Sequence, residues 1–132
     1  MRSPLIMILA LVAMTLAMSP PAMATDFTTP LLAFNGKPMV DEKGTPLDMT
    51  LGSVTEVALL SEVPSEQSLS VDEKIRNKVR RFALAQRIHD KKDVTLTPEE
   101  LVLIKRLIGE RYPAVVVGLA YQALQPGVGL GD

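Results

Sequence analysis

Three short segments share one pattern, a serine or threonine followed three residues later by glutamate: Ser53-Val54-Thr55-Glu56, Ser70-Val71-Asp72-Glu73 and Thr97-Pro98-Glu99-Glu100. In such a box the hydroxyl accepts a hydrogen bond from a first-turn N–H, and the carboxylate reaches back to the N–H of the capping residue. Each box therefore marks a helix start. Three starts this close together confine the chain beyond residue 53 to short helices packed on one another.

The first of these helices is expected from Ser53 to about Ser61, burying Val54, Val57, Ala58 and Leu60. The second is the longest, from Ser70 to about His89. Ile75, Val79, Phe82 and Ala83 recur at helical spacing and define its apolar stripe. Leu84 and Ile88 leave from nearly the opposite side, so the second half of this helix is expected to be contacted on two faces. Between these helices, residues 64–68 read as a solvated linker, and residues 90–93 as a polar turn.

The third helix opens at Thr97, with Pro98 where a missing N–H is harmless. Leu101, Ile104, Leu107 and Ile108 form its buried face, Lys105 and Arg106 lie outside, and Gly109 is the expected C-cap. A fourth helix, from Ala114 after Pro113 to about Leu124, is apolar nearly all round. Its Val115-Val116-Val117 run has strand propensity, so a strand is the alternative there. Pro126 ends it, and residues 126–132 read as a flexible glycine-rich tail.

Upstream of the helices the signals change. Asn35-Gly36 and Asp41-Glu42-Lys43-Gly44 are turn sequences. They are flanked by the short apolar runs Leu31 to Phe34, Met39-Val40 and Pro46 to Leu51, which suggest a small hairpin or meander. Pro38 and Pro46 limit the regularity of its ladder. Thr25 to Pro30 reads as a flexible lead-in.

The first 24 residues have the layout of a secretory signal. Arg2 supplies a positive charge, and Leu5 to Met18 is a run of fourteen residues that are all apolar apart from Thr15. Pro20 and Pro21 break the run, and Ala22 and Ala24 are the small residues of a cleavage site. A bilayer-spanning helix needs about 20 apolar residues, so a stable membrane anchor is not expected after cleavage. The mature chain would begin at Thr25 and be exported to the periplasm or beyond. The alternative is a cytoplasmic protein starting at Met23.

Removing 24 of 132 residues leaves 108, with 13 Lys and Arg against 15 Asp and Glu. That is enough for one domain with one modest core. Its charge balance gives no reason to expect a nucleic-acid partner. The absence of cysteine removes disulfides, thiolate metal sites and thiol catalysis.

Few residues are candidates for chemistry. His89, the sole histidine, could act in acid–base catalysis. Its place at a helix end beside Asp90 has a simpler rationale in the helix dipole. Glu99 and Glu100 belong to a capped first turn rather than to a catalytic carboxylate pair. Asp41 to Gly44 is too short for a calcium loop. Arg76, Lys78, Arg80, Arg81 and Arg87 make the second helix basic, and they read as a solvated face distributed around it. Phe34, Phe82, Tyr112 and Tyr121 are spaced as core or interface residues. No catalytic residue, cofactor, metal or small-molecule site is expected.

The order of motifs resembles a group of short proteins encoded in bacteriophages and prophages. The matching segments are Asn35-Gly36-Lys37-Pro38, Gly44-Thr45-Pro46-Leu47, Ala58-Leu59-Leu60, Glu73-Lys74-Ile75-Arg76, Leu84 to Ile88 and Leu96 to Gly109. Tyr112, Val116-Val117-Gly118, Tyr121 and Leu124 complete them. The resemblance covers nearly all of residues 31–124, and its motifs are turns, caps and packing positions. It implies no catalytic residues. The order of a small hairpin followed by short helices is also similar to phage tail-assembly chaperones, which act in the cytoplasm.

The expectation is thus a mostly helical α+β fold, in which a small N-terminal β-hairpin or meander packs on about four short helices within one domain, residues 31–125. The expected function is that of a non-enzymatic exported accessory protein of phage or prophage type. It would act through contacts with an unidentified protein partner or with itself. The candidate contact surface is Val115, Val116, Leu119, Tyr121 and Leu124, on the last helix. A cytoplasmic protein like the tail-assembly chaperones, beginning at Met23, is the alternative.

Overall fold

The computed structural model describes residues 24–126. Residues 1–23, which hold most of the expected secretory signal with Ala22 of its expected cleavage site, and residues 127–132 of the expected glycine-rich tail lie outside the described residues. The fold is mostly helical α+β. Its elements are β1 (Ala24–Thr25), α1 (Leu51–Leu60), α2 (Val71–Ile88), β2 (Val94–Thr95), α3 (Pro98–Arg111) and α4 (Ala114–Leu124), with a 3-10 turn at Pro64–Glu66. β1 and β2 pair antiparallel, Ala24 opposite Thr95 and Thr25 opposite Val94.

The two turns form where the sequence places them. Ala33 N–H donates to Lys37 O across the first, and Asp41 N–H to Thr45 O across the second. Each pairing is reduced to an isolated bridge, Leu32 with Pro38 and Val40 with Pro46. Proline has no N–H to extend the ladder further.

Thr25 to Pro30 is not a flexible lead-in. Phe27 is fully buried, and its backbone is held at both ends. Its N–H donates to Lys91 O at 2.9 Å, and its carbonyl accepts from Gly52 N–H at 2.7 Å. A Cβ on Gly52 would stand 2.7 Å from the Phe27 carbonyl oxygen, so only glycine permits this approach. Asp26 ties the turn that follows: its Oδ1 accepts from Thr28 N–H at 2.8 Å and from the Thr28 hydroxyl at 2.6 Å. These bonds hold the Asp26 carboxyl below its usual range.

α1 starts three residues earlier than its box suggested. Thr50 is the N-cap, and Ser53 takes the place of the expected glutamate, its hydroxyl accepting from Thr50 N–H. The face turned inward also differs. Leu51, Val54, Thr55, Ala58 and Leu59 are buried, while Val57 and Leu60, expected inside, are exposed. The core is built around this helix, which touches α2, α3 and α4. Ile104, Leu107 and Ile108 of α3, and Val116, Ala120 and Leu124 of α4, close over it. α3 runs past Gly109 to Arg111, so Tyr112 rather than Gly109 is its C-cap. The valine run of α4 is helical.

The largest departure is in α2. Its buried residues are Arg81, Leu84, Ala85 and Ile88. The expected apolar stripe faces outward: Ile75, Val79 and Phe82 are 54%, 63% and 54% exposed, and Ala83 is also exposed; Val71, one turn earlier, is 71% exposed. The helix is contacted on one face rather than two. Length is part of the reason. At 1.5 Å per residue α1 is about 15 Å long and α2 about 27 Å, so α2 overhangs its partner, and no residue from Val71 to Arg80 is buried.

The other part is Arg81, only 4% exposed. Its Nη1 donates to Leu59 O at 2.8 Å and Ser61 O at 2.9 Å, and its Nη2 lies 3.4 Å from Glu66 Oε2. The last carbonyls of a helix have no intrahelical donor, and α1 carries no basic residue in its last turn. Arg81 supplies the missing donors from the neighbouring helix. Removing a guanidinium that is paired in the interior leaves its partners buried and unpaired, at a cost of about 3–5 kcal/mol. Arg81→Met should therefore lose stability on that scale in urea unfolding, although methionine keeps much of the volume.

Candidate functional site

Two surface features stand out from the packed core. The first is the outward face of α2. Val71, Ile75, Val79 and Phe82 follow steps of four, four and three, so they line up along one side of the helix. At about 100° per residue, Lys74 and Lys78 fall on one flank of this ridge and Arg76 and Arg80 on the other. α2 holds six of the fourteen basic residues of the chain and two of its fifteen acids. Eight basic and thirteen acidic residues remain elsewhere, so a helix of net charge +4 sits on a remainder of −5.

The second feature is a groove of about 660 Å³ between α2 and α3. Arg80, Arg81 and Arg87 reach it from α2, and Arg106 from α3, with Glu66, Glu99 and Glu100 among them. The basic residues of α2 are therefore not all dispersed, because three of them converge here. Arg87 pairs with Glu100, with contacts of 2.7 and 2.8 Å, which raises the Arg87 pKa and lowers that of Glu100. The Glu100 carboxylate also closes the capping box by accepting from Thr97 N–H at 2.9 Å. Glu66 is buried and shared, 3.4 Å from Arg81 and 3.8 Å from Arg106.

The surface expected on α4 is largely consumed by packing. Val116 and Leu124 belong to the core, and Leu119 and Tyr121 pack against it half-buried. The Tyr121 hydroxyl donates to Lys105 O at 2.6 Å, which ties α4 to α3. Of the five residues, Val115 alone is exposed. A helix apolar all round buries whichever stripe meets its neighbours, and here that stripe is Val116, Ala120 and Leu124. Phe34 stands almost fully exposed beside the first turn, outside any core.

His89 caps the C-terminus of α2, and carboxylates occupy both its ring nitrogens. Nδ1 is 2.5 Å from Glu56 on α1, and Nε2 is 3.2 Å from Asp90. The imidazole is exposed, and its pKa is raised, first by the hydrogen bond to Glu56 and then by the charge of Asp90. This arrangement favours the imidazolium and leaves no free nitrogen to act as a base. Among the described residues, no group of three or more His, Asp or Glu could hold a metal ion, and no helix is long and apolar enough to cross a membrane.

A raised folded-state pKa means that the protonated imidazole is favoured by folding. The contribution is complete below about 6.5, the ordinary histidine value, provided Glu56 and Asp90 stay ionised. It fades as pH rises through the raised value. Thermal unfolding of the wild type and His89→Ala should therefore differ below pH 6.5, with the wild type more stable, and converge in the alkaline range. Against known proteins, the chain matches no family model, no curated protein and no solved structure.

Proposed function

We propose that the chain is a non-catalytic exported accessory protein, of the phage and prophage kind its motifs resemble, and that it works by docking α2 onto a partner protein. The observation that carries this reading is the ridge of Val71, Ile75, Val79 and Phe82. A chain with a small core has turned four large apolar side chains of one helix toward solvent. Fully burying such a side chain is worth about 1.5–3 kcal/mol. Aligned exposed residues of this kind mark a contact surface more often than scattered ones do.

Charge selects the occupant. A second copy would bring two helices of net charge +4 together, and like charges across an interface are costly. The complementary partner is an apolar protein face with an acidic rim, such as an amphipathic helix bearing Asp and Glu on its flanks. The absence of cysteine and the two carboxylates holding His89 support a binding role rather than catalysis. The leader of residues 1–24 supports export.

The test places a photocrosslinking amino acid at Val79 in the full chain and recovers the protein from fractionated cells. The expected result is an extracytoplasmic species beginning at Thr25 that forms one discrete protein adduct. The adduct should be lost when Arg76 and Lys78 are both replaced by Glu. A self-adduct, a lipid adduct or no adduct would contradict the docking reading. A cytoplasmic species beginning near Met23 would contradict export and favour the tail-assembly-chaperone alternative.

A further inference from the structure

The groove between α2 and α3 has a composition that the docking ridge does not explain. Its walls carry four guanidinium groups and three carboxylates, and two of those carboxylates are already engaged. Glu66 sits between Arg81 and Arg106, and Glu100 is held by Arg87 and by its own capping bond. Arg80 forms no ion pair among the described residues, and Arg106 keeps only a loose one at 3.8 Å while remaining half-exposed. Beneath them, the Nε of Arg81 is buried with no hydrogen-bond partner. A buried donor without an acceptor is rare in folded proteins and calls for an explanation.

We infer that this groove is a binding site for a compact polyanion, a phosphate ester or a polycarboxylate, held by Arg80 and Arg106 with Arg87 beside them. A guanidinium presents its donors in a planar fork that matches paired anionic oxygens. Two such forks, one from each helix, face a volume within the range of small-molecule pockets. Arg87 keeps its bidentate pair with Glu100 and, half-exposed at the groove, has further N–H donors left to offer a ligand. Arg81 itself lines the groove, and its charge adds to the pull on an anion there. The start of α3 is not the anchor, because the Thr97 hydroxyl already occupies the N–H of Glu100. Glu99, the third acid, has no ion pair among the described residues and weakens the hold of the groove on any anion.

Isothermal titration of the purified protein with inorganic pyrophosphate and with citrate tests the site. At least one should bind saturably with one-to-one stoichiometry, and acetate should not. Arg80→Ala/Arg106→Ala should weaken that binding by about tenfold or more while the free variant still unfolds in one cooperative transition, and Arg80→Ala alone, which removes no ion pair, should weaken it with the melting temperature unchanged. Glu99→Gln should tighten it. Saturation by pyrophosphate alone would point to a phosphate ester, and by citrate alone to a polycarboxylate. No saturation by either, or equal affinity in the double variant, would overturn the site.

Discussion

A buried guanidinium fixes which way the longest helix faces. Arg81 reaches from α2 to the open C-terminal end of α1, where two carbonyls need donors and Glu66 stands buried beside them. Satisfying these acceptors turns one side of α2 inward, and Leu84, Ala85 and Ile88 follow on that side. The opposite side, with Val71, Ile75, Val79 and Phe82, has no place left in the core. Leu84 and Ile88 are buried on the same side as Arg81, so apolar burial and the pairing of interior polar groups favour the same orientation for this half of the helix, while the overhanging half has no partner to bury its ridge against.

The surface of the molecule follows from that choice. The overhanging half of α2 presents an apolar ridge between flanks of lysine and arginine. The same rotation carries Arg80 and Arg87 toward α3, where Arg106 meets them. The ridge and the groove are thus two results of one packing decision, and both concentrate positive charge on a molecule whose remainder is acidic. His89 marks the end of the same helix and ties it to α1 through Glu56.

Most features set by local interactions were legible in the sequence, the exception being the start of α1, where Thr50 caps the helix in place of Ser53. The Thr97 box, the Ser70 cap and both turns form as their residues indicate. The valine run of α4 is helical because its place against α1 and α3 overrides a weak β preference. Features set by distant contacts were not legible. Periodicity marks a stripe on α2 but not whether it faces in or out, and the partners that decide this lie 15 to 22 residues away. Phe27 shows no periodic pattern, and its burial depends on the backbone of Gly52 and on Lys91. The groove needs α2 and α3 side by side before its arginines form a group.

The orientation of α2 can be measured directly, because the chain has no cysteine of its own. Val79→Cys and Leu84→Cys would each be labelled with a maleimide in native buffer and again in denaturant. The account predicts that Val79→Cys reacts about as fast folded as unfolded, and that Leu84→Cys is protected until the protein unfolds. Protection of Val79→Cys together with ready labelling of Leu84→Cys would mean that α2 faces the other way, and the ridge would then be core.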